Sequence, residues 1–207
     1  MENLRVVVFG STGKTGEQAW KLLREAGHDV TVFGRSVRRR YADDPVAKVQ
    51  GDVLDTEAVS KAIEAQDAVL VCLGPVSTRD QTTLSQGAAN IASAMRAHGT
   101  RRVVFISAAG VGESWGQIPW YSKLLFGTML RNILDEHARE EEIFATSSLD
   151  WTAVRAAVLT NKPATGRVIA SNTGPNKTIP RADLAVFLVA ELVGQDHLNR
   201  AISVTSG

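Results

Sequence analysis

Val6-Val7-Val8-Phe9-Gly10-Ser11-Thr12-Gly13-Lys14-Thr15-Gly16 is the stretch on which the fold turns. Val6 to Phe9 form a short, mostly β-branched apolar run, the composition of a buried strand. Three glycines follow at three-residue spacing, and a helical pattern runs from Glu17 to Ala26. Strand, glycine-spaced turn and helix in that order carry a chemical consequence. The first turn of a helix offers N–H groups without intrahelical partners and a partial positive charge, and both suit a phosphate. The glycines permit the tight turn and let backbone approach a ligand closely. The stretch therefore reads as a cradle for the pyrophosphate of a nicotinamide dinucleotide. A tight strand-to-helix turn with no ligand is the alternative.

The spacing is G-x-x-G-x-x-G rather than the G-x-G-x-x-G of the commonest dinucleotide fingerprint, so its context gives it meaning. Gly13-Lys14-Thr15 invites comparison with a nucleoside-triphosphate loop, which needs a further glycine five residues before Gly13. That position is Val8, inside the strand, and the comparison fails.

With 207 residues the chain is expected to form one domain with a substantial core. A formal net charge of +1 gives no global attraction to nucleic acid or to an acidic membrane surface. The single cysteine, Cys72, sits in an apolar run and reads as a small buried hydrophobe. One cysteine allows no disulfide within the chain, as in a reducing compartment. The chain opens directly on a strand, without the apolar leader of a secreted protein, and no stretch reaches the ~20 apolar residues that span a bilayer. It reads as soluble and cytoplasmic.

Strand and helix patterns alternate along the sequence. Asp29–Phe33, Val46–Gln50, Ala68–Leu73 and Arg102–Ile106 read as strands. Helices are predicted from Thr56, as cap, through Glu64, and from Asp80 to His98 with Gly99 as the stop. Ala108–Pro119 reads as a loop and Trp120–Thr146 as a long helix, interrupted near Gly127. Trp151–Val154 is a further strand, Gly166–Ala170 a short edge strand, Arg181–Val193 a helix and Ile202–Thr205 a last strand. The alternation predicts an α/β fold with a doubly wound, mostly parallel sheet and helices on both faces. In such a sheet the ligand lies outside the carboxyl ends of the strands, where the strand order reverses. Residues after successive strands should then converge: Gly10 to Thr15 (Lys14 included), Gly34 to Arg40, Gly51 to Val53, Leu73 to Pro75, Ser107 to Ala109 and Ala156 to Leu159.

The end of the second strand selects the dinucleotide. An NAD site places an acidic residue ~20 residues beyond the glycines to hold the ribose hydroxyls. Here the sequence is Phe33-Gly34-Arg35-Ser36-Val37-Arg38-Arg39-Arg40, without a carboxylate. Arginine matches a phosphate with a planar fork of donors. Arg35 is the expected ligand of the 2′-phosphate of NADPH, with Ser36, Arg38 and Arg39 as helpers. A solvated basic turn is the alternative. Asp52 can accept from the adenine amino group while Val53 packs on the ring, although Asp52 also suits a turn or a helix cap. Leu73-Gly74-Pro75 should cover the nicotinamide ribose, with Gly74 permitting close approach.

These residues resemble the atypical short-chain dehydrogenase/reductase group, in the branch of flavin and biliverdin reductases. The likeness runs through Gly10 to Gly16, Val30 to Arg35, Gly51 to Asp55, Gln66 to Gly74, Gly87 to Asn90, Met95 to Gly99, Val103 to Ser107 and Leu149 to Arg155. It implies an NAD(P)-binding Rossmann fold over 1–207, with the substrate side built mainly by 107–160. It also implies NADPH held by Gly10, Thr12, Gly13, Thr15, Arg35, Asp52, Val53, Leu73 and Gly74. Ser107 would lie by the nicotinamide, and Val158 would close over it.

Most carbonyl-reducing members of that group use a tyrosine with a lysine four residues on as the proton source. Tyr121 is followed at that distance by Leu125, and Lys123 is two residues away, off its helix face. The resemblance places Ile133 and His137 at the tyrosine and lysine positions. Reducing a carbonyl creates an alkoxide that needs a nearby donor. A flavin, a quinone or a conjugated tetrapyrrole delocalises the charge, and water can supply the proton. The sequence thus favours a planar acceptor. Ser107 and His137 are the candidate catalytic side chains. Ser107 equally suits a polar strand end, and His137, among Glu136, Glu140, Glu141 and Glu142, suits a solvated helix face. Trp115, Trp120, Tyr121 and Phe126 are candidates for the apolar wall of an acceptor pocket, or for helix packing. No spacing supports a metal site. The main reading is an NADPH-dependent reductase of planar acceptors. The alternative is an NADP(H)-binding sensor without turnover, and the short chain without the tyrosine disfavours a nucleotide-sugar epimerase.

Overall fold

A computed structural model describes residues 3–75, 77, 80–117, 130–174 and 177–207. Strands β1 (Arg5–Phe9), β2 (Asp29–Gly34), β3 (Ala47–Gln50), β4 (Ala68–Val71), β5 (Arg102–Ala108), β6 (Asp150–Ala156), β8 (Val168–Ala170) and β10 (Arg200–Ser206) form one sheet. Its order is β3-β2-β1-β4-β5-β6-β10-β8. All neighbours are parallel except the edge pair β10–β8. The order reverses between β1 and β4, which makes the carboxyl ends of those two strands the switch point. β7 (Val158–Thr160) and β9 (Thr178–Pro180) form a separate parallel pair.

Alternation along the strands feeds two cores. Val6 and Val8 point to one face with Trp20, Leu23, Leu184 and Leu188. Val7 and Phe9 point to the other with Val59, Ile63, Ile91, Met95 and Phe144. Helices α1 (Lys14–Glu25) and α6 (Arg181–Gly194) cover the first face; α3 (Thr56–Ile63), α4 (Thr83–His98) and α5 (Arg131–Ala145) cover the second. This is the doubly wound fold expected from the sequence.

Several boundaries differ from the sequence reading. α1 starts at Lys14 rather than Glu17, so Thr15 and Gly16 lie inside the helix. Gly16 is there for packing, because a Cβ would stand 2.3 Å from the Gly10 carbonyl oxygen. The cap of α3 is Asp55, not Thr56: its carboxylate accepts from the Glu57 and Ala58 amides at 3.0 and 3.2 Å. The segment after β5 is not wholly loop, since Gly112–Gln117 form a 3-10 turn. α2 (Val37–Arg40) and the β7–β9 pair are too short for periodicity to reveal. Of the long helix expected over Trp120–Thr146, the described part is Arg131–Ala145; residues 118–129 lie outside the described residues.

Candidate functional site

The glycine turn is shaped by contacts that only glycine allows. Gly10 has φ +72°, and a Cβ on it would stand 2.4 Å from the Cys72 carbonyl oxygen. The turn after β1 therefore lies directly on the end of β4, at the switch point. The Gly13 N–H donates to the Gly10 carbonyl at 3.0 Å, closing the turn. Gly13 is also the N-cap of α1, and it has no side chain to bond the first-turn amides. Gly13 and Lys14 are exposed, Thr12 is half-buried and Thr15 is buried. A Cβ at Gly13 would meet only the Gly10 carbonyl oxygen, at 3.2 Å, in an otherwise open position. The donor set and the open cradle fit a diphosphate.

Two side-chain bonds lock this turn to the second strand. Ser11 Oγ donates to the Phe33 carbonyl at 3.0 Å, and Tyr41 Oη donates to the Ser11 carbonyl at 2.6 Å. Tyr41 is buried and packs edge-on against Trp20, with ring centroids 5.1 Å apart. Sequence reasoning gave Tyr41 no part in the site; its signal was an isolated tyrosine immediately after the arginine run.

Arg35, Arg38 and Arg39 are exposed around the end of β2, and Ser36 is half-buried at the N-cap of α2 without a capping bond. Arg40 turns away from them. It pairs with Glu17 Oε2 at 2.6 Å, and Lys21 pairs with Oε1 at 2.9 Å. Hydrogen bonds from Arg40 and Lys21 hold the Glu17 carboxyl below the usual carboxylate range. One acidic side chain of α1 thus withdraws a single arginine from the run.

Asp52 follows β3, and its Oδ1 accepts from the Leu54 amide at 3.1 Å, so the turn role weighed from sequence is present. Val53 is buried. Its carbonyl accepts from Asn90 Nδ2 at 3.0 Å, and a Cβ at Gly87 would stand 2.9 Å from its Cγ2. Gly87 and Asn90 of α4 therefore seat Val53, a role the sequence reading did not assign. Leu73 and Pro75 are half-buried and Gly74 is exposed beyond β4. Burial pushes the Cys72 thiol up to about 12, so it stays protonated and unreactive at neutral pH. Val158 is 53% exposed at the start of β7.

The largest departure concerns the charges of α5. The sequence suggested a solvated face around His137, but Glu136, His137, Glu140 and Glu141 are all buried. Each has a partner. Glu136 Oε2 accepts from the Leu84 and Ser85 amides at 3.0 and 3.2 Å, capping α4 from a neighbouring helix, and Arg139 closes on its Oε1 at 2.6 Å. His137 Nδ1 lies 3.1 Å from Glu140 Oε2. Glu141 reaches the sheet and holds Ser107 and Arg155. Ser107 lies within β5 rather than after it and is 1% exposed. Charges so close in sequence resemble a solvated face until the fold supplies their partners.

Burial raises the Glu140 carboxyl above its ordinary value, and the His137 bond only partly offsets this. The native state then binds the Glu140 proton more tightly than the unfolded chain, so stability is lost as pH rises above the ordinary value of 4.5. Glu140→Gln keeps an acceptor for His137 and removes the charge. Its melting temperature should match wild type near pH 4.5 and exceed it as the pH is raised above that value. Thermal melts over rising pH check this; a variant less stable than wild type at the alkaline end would contradict it.

Tyr121 and Lys123, with Trp120 and Phe126 of the expected aromatic wall, lie outside the described residues; Trp115 is half-buried in the 3-10 turn. Ile133 and His137 share a face of α5. Among the described residues no cluster of three or more His, Cys, Asp or Glu is placed to hold a metal ion. Among them, too, no helix is long and apolar enough to cross a membrane.

Residues 10–194 match the model of a family described as NAD(P)H-binding. The chain belongs to this NAD(P)H-binding family. It is 31% identical over 204 residues to an uncharacterized chloroplastic protein of Arabidopsis thaliana, covering 91% of this chain and 70% of that protein. Among solved structures it is similar to ChuY, an anaerobilin reductase from Escherichia coli O157:H7, with TM-score 0.81 and 21% identity over 98% of this chain and 97% of that one. It is also similar to a short-chain dehydrogenase/reductase from Veillonella parvula in complex with NADP, with TM-score 0.82 and 18% identity over 99% and 95% of the two chains. At these identities the two structures share the fold. The family match covers the glycine turn and α1 through α6, and it agrees with the resemblance read from the sequence.

Proposed function

We propose that this NAD(P)H-binding protein is an NADPH-dependent reductase acting on a flavin-like, quinone or other planar conjugated acceptor. One observation carries the reading: an uncapped α1 N-terminus, approached through Gly10 and Gly13, stands beside an arginine run at the end of β2 that offers no carboxylate. Gly10, Thr12, Gly13, Lys14 and Thr15 would hold the pyrophosphate. Arg35, with Ser36, Arg38 and Arg39, would hold the 2′-phosphate, while Asp52 and Val53 would meet the adenine. Leu73, Gly74, Pro75, Ser107 and Val158 would surround the nicotinamide, on a substrate side built mainly from residues 107–160. When bound, the nicotinamide supplies the hydride; the protein positions the two partners.

The protein's own groups favour an acceptor that needs no strong acid. Ser107 already donates to Glu141, and His137 is bound to Glu140, so neither is poised as a ready donor. The same observation favours the second reading, an NADP(H)-binding sensor without turnover. The charge balance of the chain, +1 overall, supports a small-molecule partner rather than nucleic acid or membrane, and a cytoplasmic setting fits its single cysteine. Following NADPH oxidation with FMN, dichlorophenolindophenol and a quinone separates the readings. Turnover with at least one acceptor is the expected result; tight NADP binding with none turned over would establish the sensor instead.

A further inference from the structure

Helices α1 and α6 lie on one face of the sheet, and their first turns line a shared groove of about 580 Å³. Residues 160–164, at and beyond the end of β7, complete its wall. Lys14, Lys21, Lys162 and Arg181 bring four cations to this groove, against one carboxylate, Glu17. Glu17 is already bonded to Lys21 and Arg40. Among the described residues, no carboxylate pairs with Lys14, Lys162 or Arg181. Arg181 Nη1 donates instead to the neutral Asn161 Oδ1 at 2.9 Å. Asp183, in the same turn of α6, is buried and accepts from the Thr165 and Gly166 amides at 2.9 and 3.0 Å.

The placement of two of these cations works against the fold. Lys14 and Arg181 open α1 and α6, and neither helix has a side-chain bond at its N-cap. A cation in the first turn opposes the helix dipole, where a carboxylate would stabilise it. Cations and helix starts of one sign, gathered in one concavity, reinforce each other's field and attract an anion. The groove has the size of a small-molecule site rather than of a single ion's. Thr160 Oγ1, in its wall, is shut off from solvent and has no hydrogen-bond partner among the described residues. Thr160 itself is half-buried, so rotation about its Cα–Cβ bond can present the hydroxyl to a bound acceptor atom.

We propose that this groove is a second anion site, which binds a phosphate or carboxylate group beside the diphosphate cradle. The site stands on its own residues. Its occupant rests on the reductase reading above: Lys14 belongs to both cradle and groove, so the group is an anionic arm of the acceptor. A free anion is the other source of the same chemistry.

The test uses the full chain with saturating NADP, and three probes: FMN, riboflavin, which lacks its phosphate, and inorganic phosphate. Calorimetry compares wild type, Lys162→Ala, Arg181→Gln, the double variant and, as a charge control, Lys61→Ala on α3 at the opposite face. Wild type should bind FMN about tenfold more tightly than riboflavin. The double variant should lose that preference, with riboflavin and NADP affinities within about twofold of wild type. Lys162→Ala alone, at an exposed position, should lose about threefold on FMN, whether or not Arg181→Gln folds. Inorganic phosphate that binds wild type and not the double variant, with FMN no tighter than riboflavin, would support the site and assign it to a free anion. Absence of any phosphate-dependent binding would overturn the proposal. A phosphate preference retained in the double variant, or lost equally in Lys61→Ala, would overturn it too. A wild type that prefers FMN through these residues and binds no NADP would keep the groove and sink the dinucleotide reading instead.

Discussion

Arg35→Asp is expected to weaken NADPH by about a hundredfold and NADH by no more than about threefold. Charge sets the difference. A 2′-phosphate carries close to two negative charges, and Arg35, Arg38 and Arg39, all exposed at the end of β2, would meet it there. Charge-assisted hydrogen bonds from a guanidinium are worth about 1.5–3 kcal/mol, and aspartate replaces that attraction with repulsion. NADH, with a free ribose hydroxyl, loses little and can gain a bond to the new carboxylate. Arg40 is the internal control. Already held by Glu17 at 2.6 Å, it should contribute far less to the preference. Titrating both cofactors into Arg35→Asp and Arg40→Asp decides the matter; equal losses of NADPH and NADH in Arg35→Asp would remove the 2′-phosphate from this position.

Gly10→Ala is expected to lower the melting temperature by about 10 °C and to abolish cofactor binding. At φ +72° the added Cβ is strained, and it would stand 2.4 Å from the backbone oxygen of Cys72. No side chain there can rotate away; β4 itself must move. A cost of about 3 kcal/mol follows from strain plus displaced backbone. In a purified variant, thermal melts without ligand read the fold and titration reads the site. A variant that melts with wild type would mean that the two strand ends are not in contact at the switch point.

How far these effects were visible in the sequence depends on the range of the interaction behind them. The first strand, the glycine turn and the alternation that sets the parallel sheet are local signals, and Val6 to Gly16 carry them without help from the rest of the chain. The arginines after β2 are equally local. Glu136, His137, Glu140 and Glu141 illustrate the opposite case. Glu136 and Glu141 are satisfied from outside the helix, by Leu84 and Ser85 and by Ser107 and Arg155, and nothing near α5 reveals that the helix buries all four. Tyr41 and Asn90 share that character: each acts by one long-range hydrogen bond, to Ser11 and to Val53. α2 and the β7–β9 pair stay hidden for a different reason, since four helical residues or three strand residues contain less than two periods of their patterns. The start of α1 was placed late because glycine in a helix is unfavourable alone, and only the contact with Gly10 explains Gly16.

The central claim is that the amides at the start of α1 hold a dinucleotide's diphosphate, and Gly13→Val tests it most directly. The valine fills the open cradle, and the Gly10 carbonyl oxygen, 3.2 Å from the added Cβ, must give way by a few tenths of an ångström. Calorimetric titration of NADP into wild type and variant, with ligand-free melts of both, gives the answer. Wild type should bind NADP one-to-one and gain thermal stability, whereas Gly13→Val should melt within about 2 °C of wild type and bind nothing. A wild-type protein that yields neither heat nor thermal protection, or a valine variant that binds NADP as tightly as wild type, would contradict it.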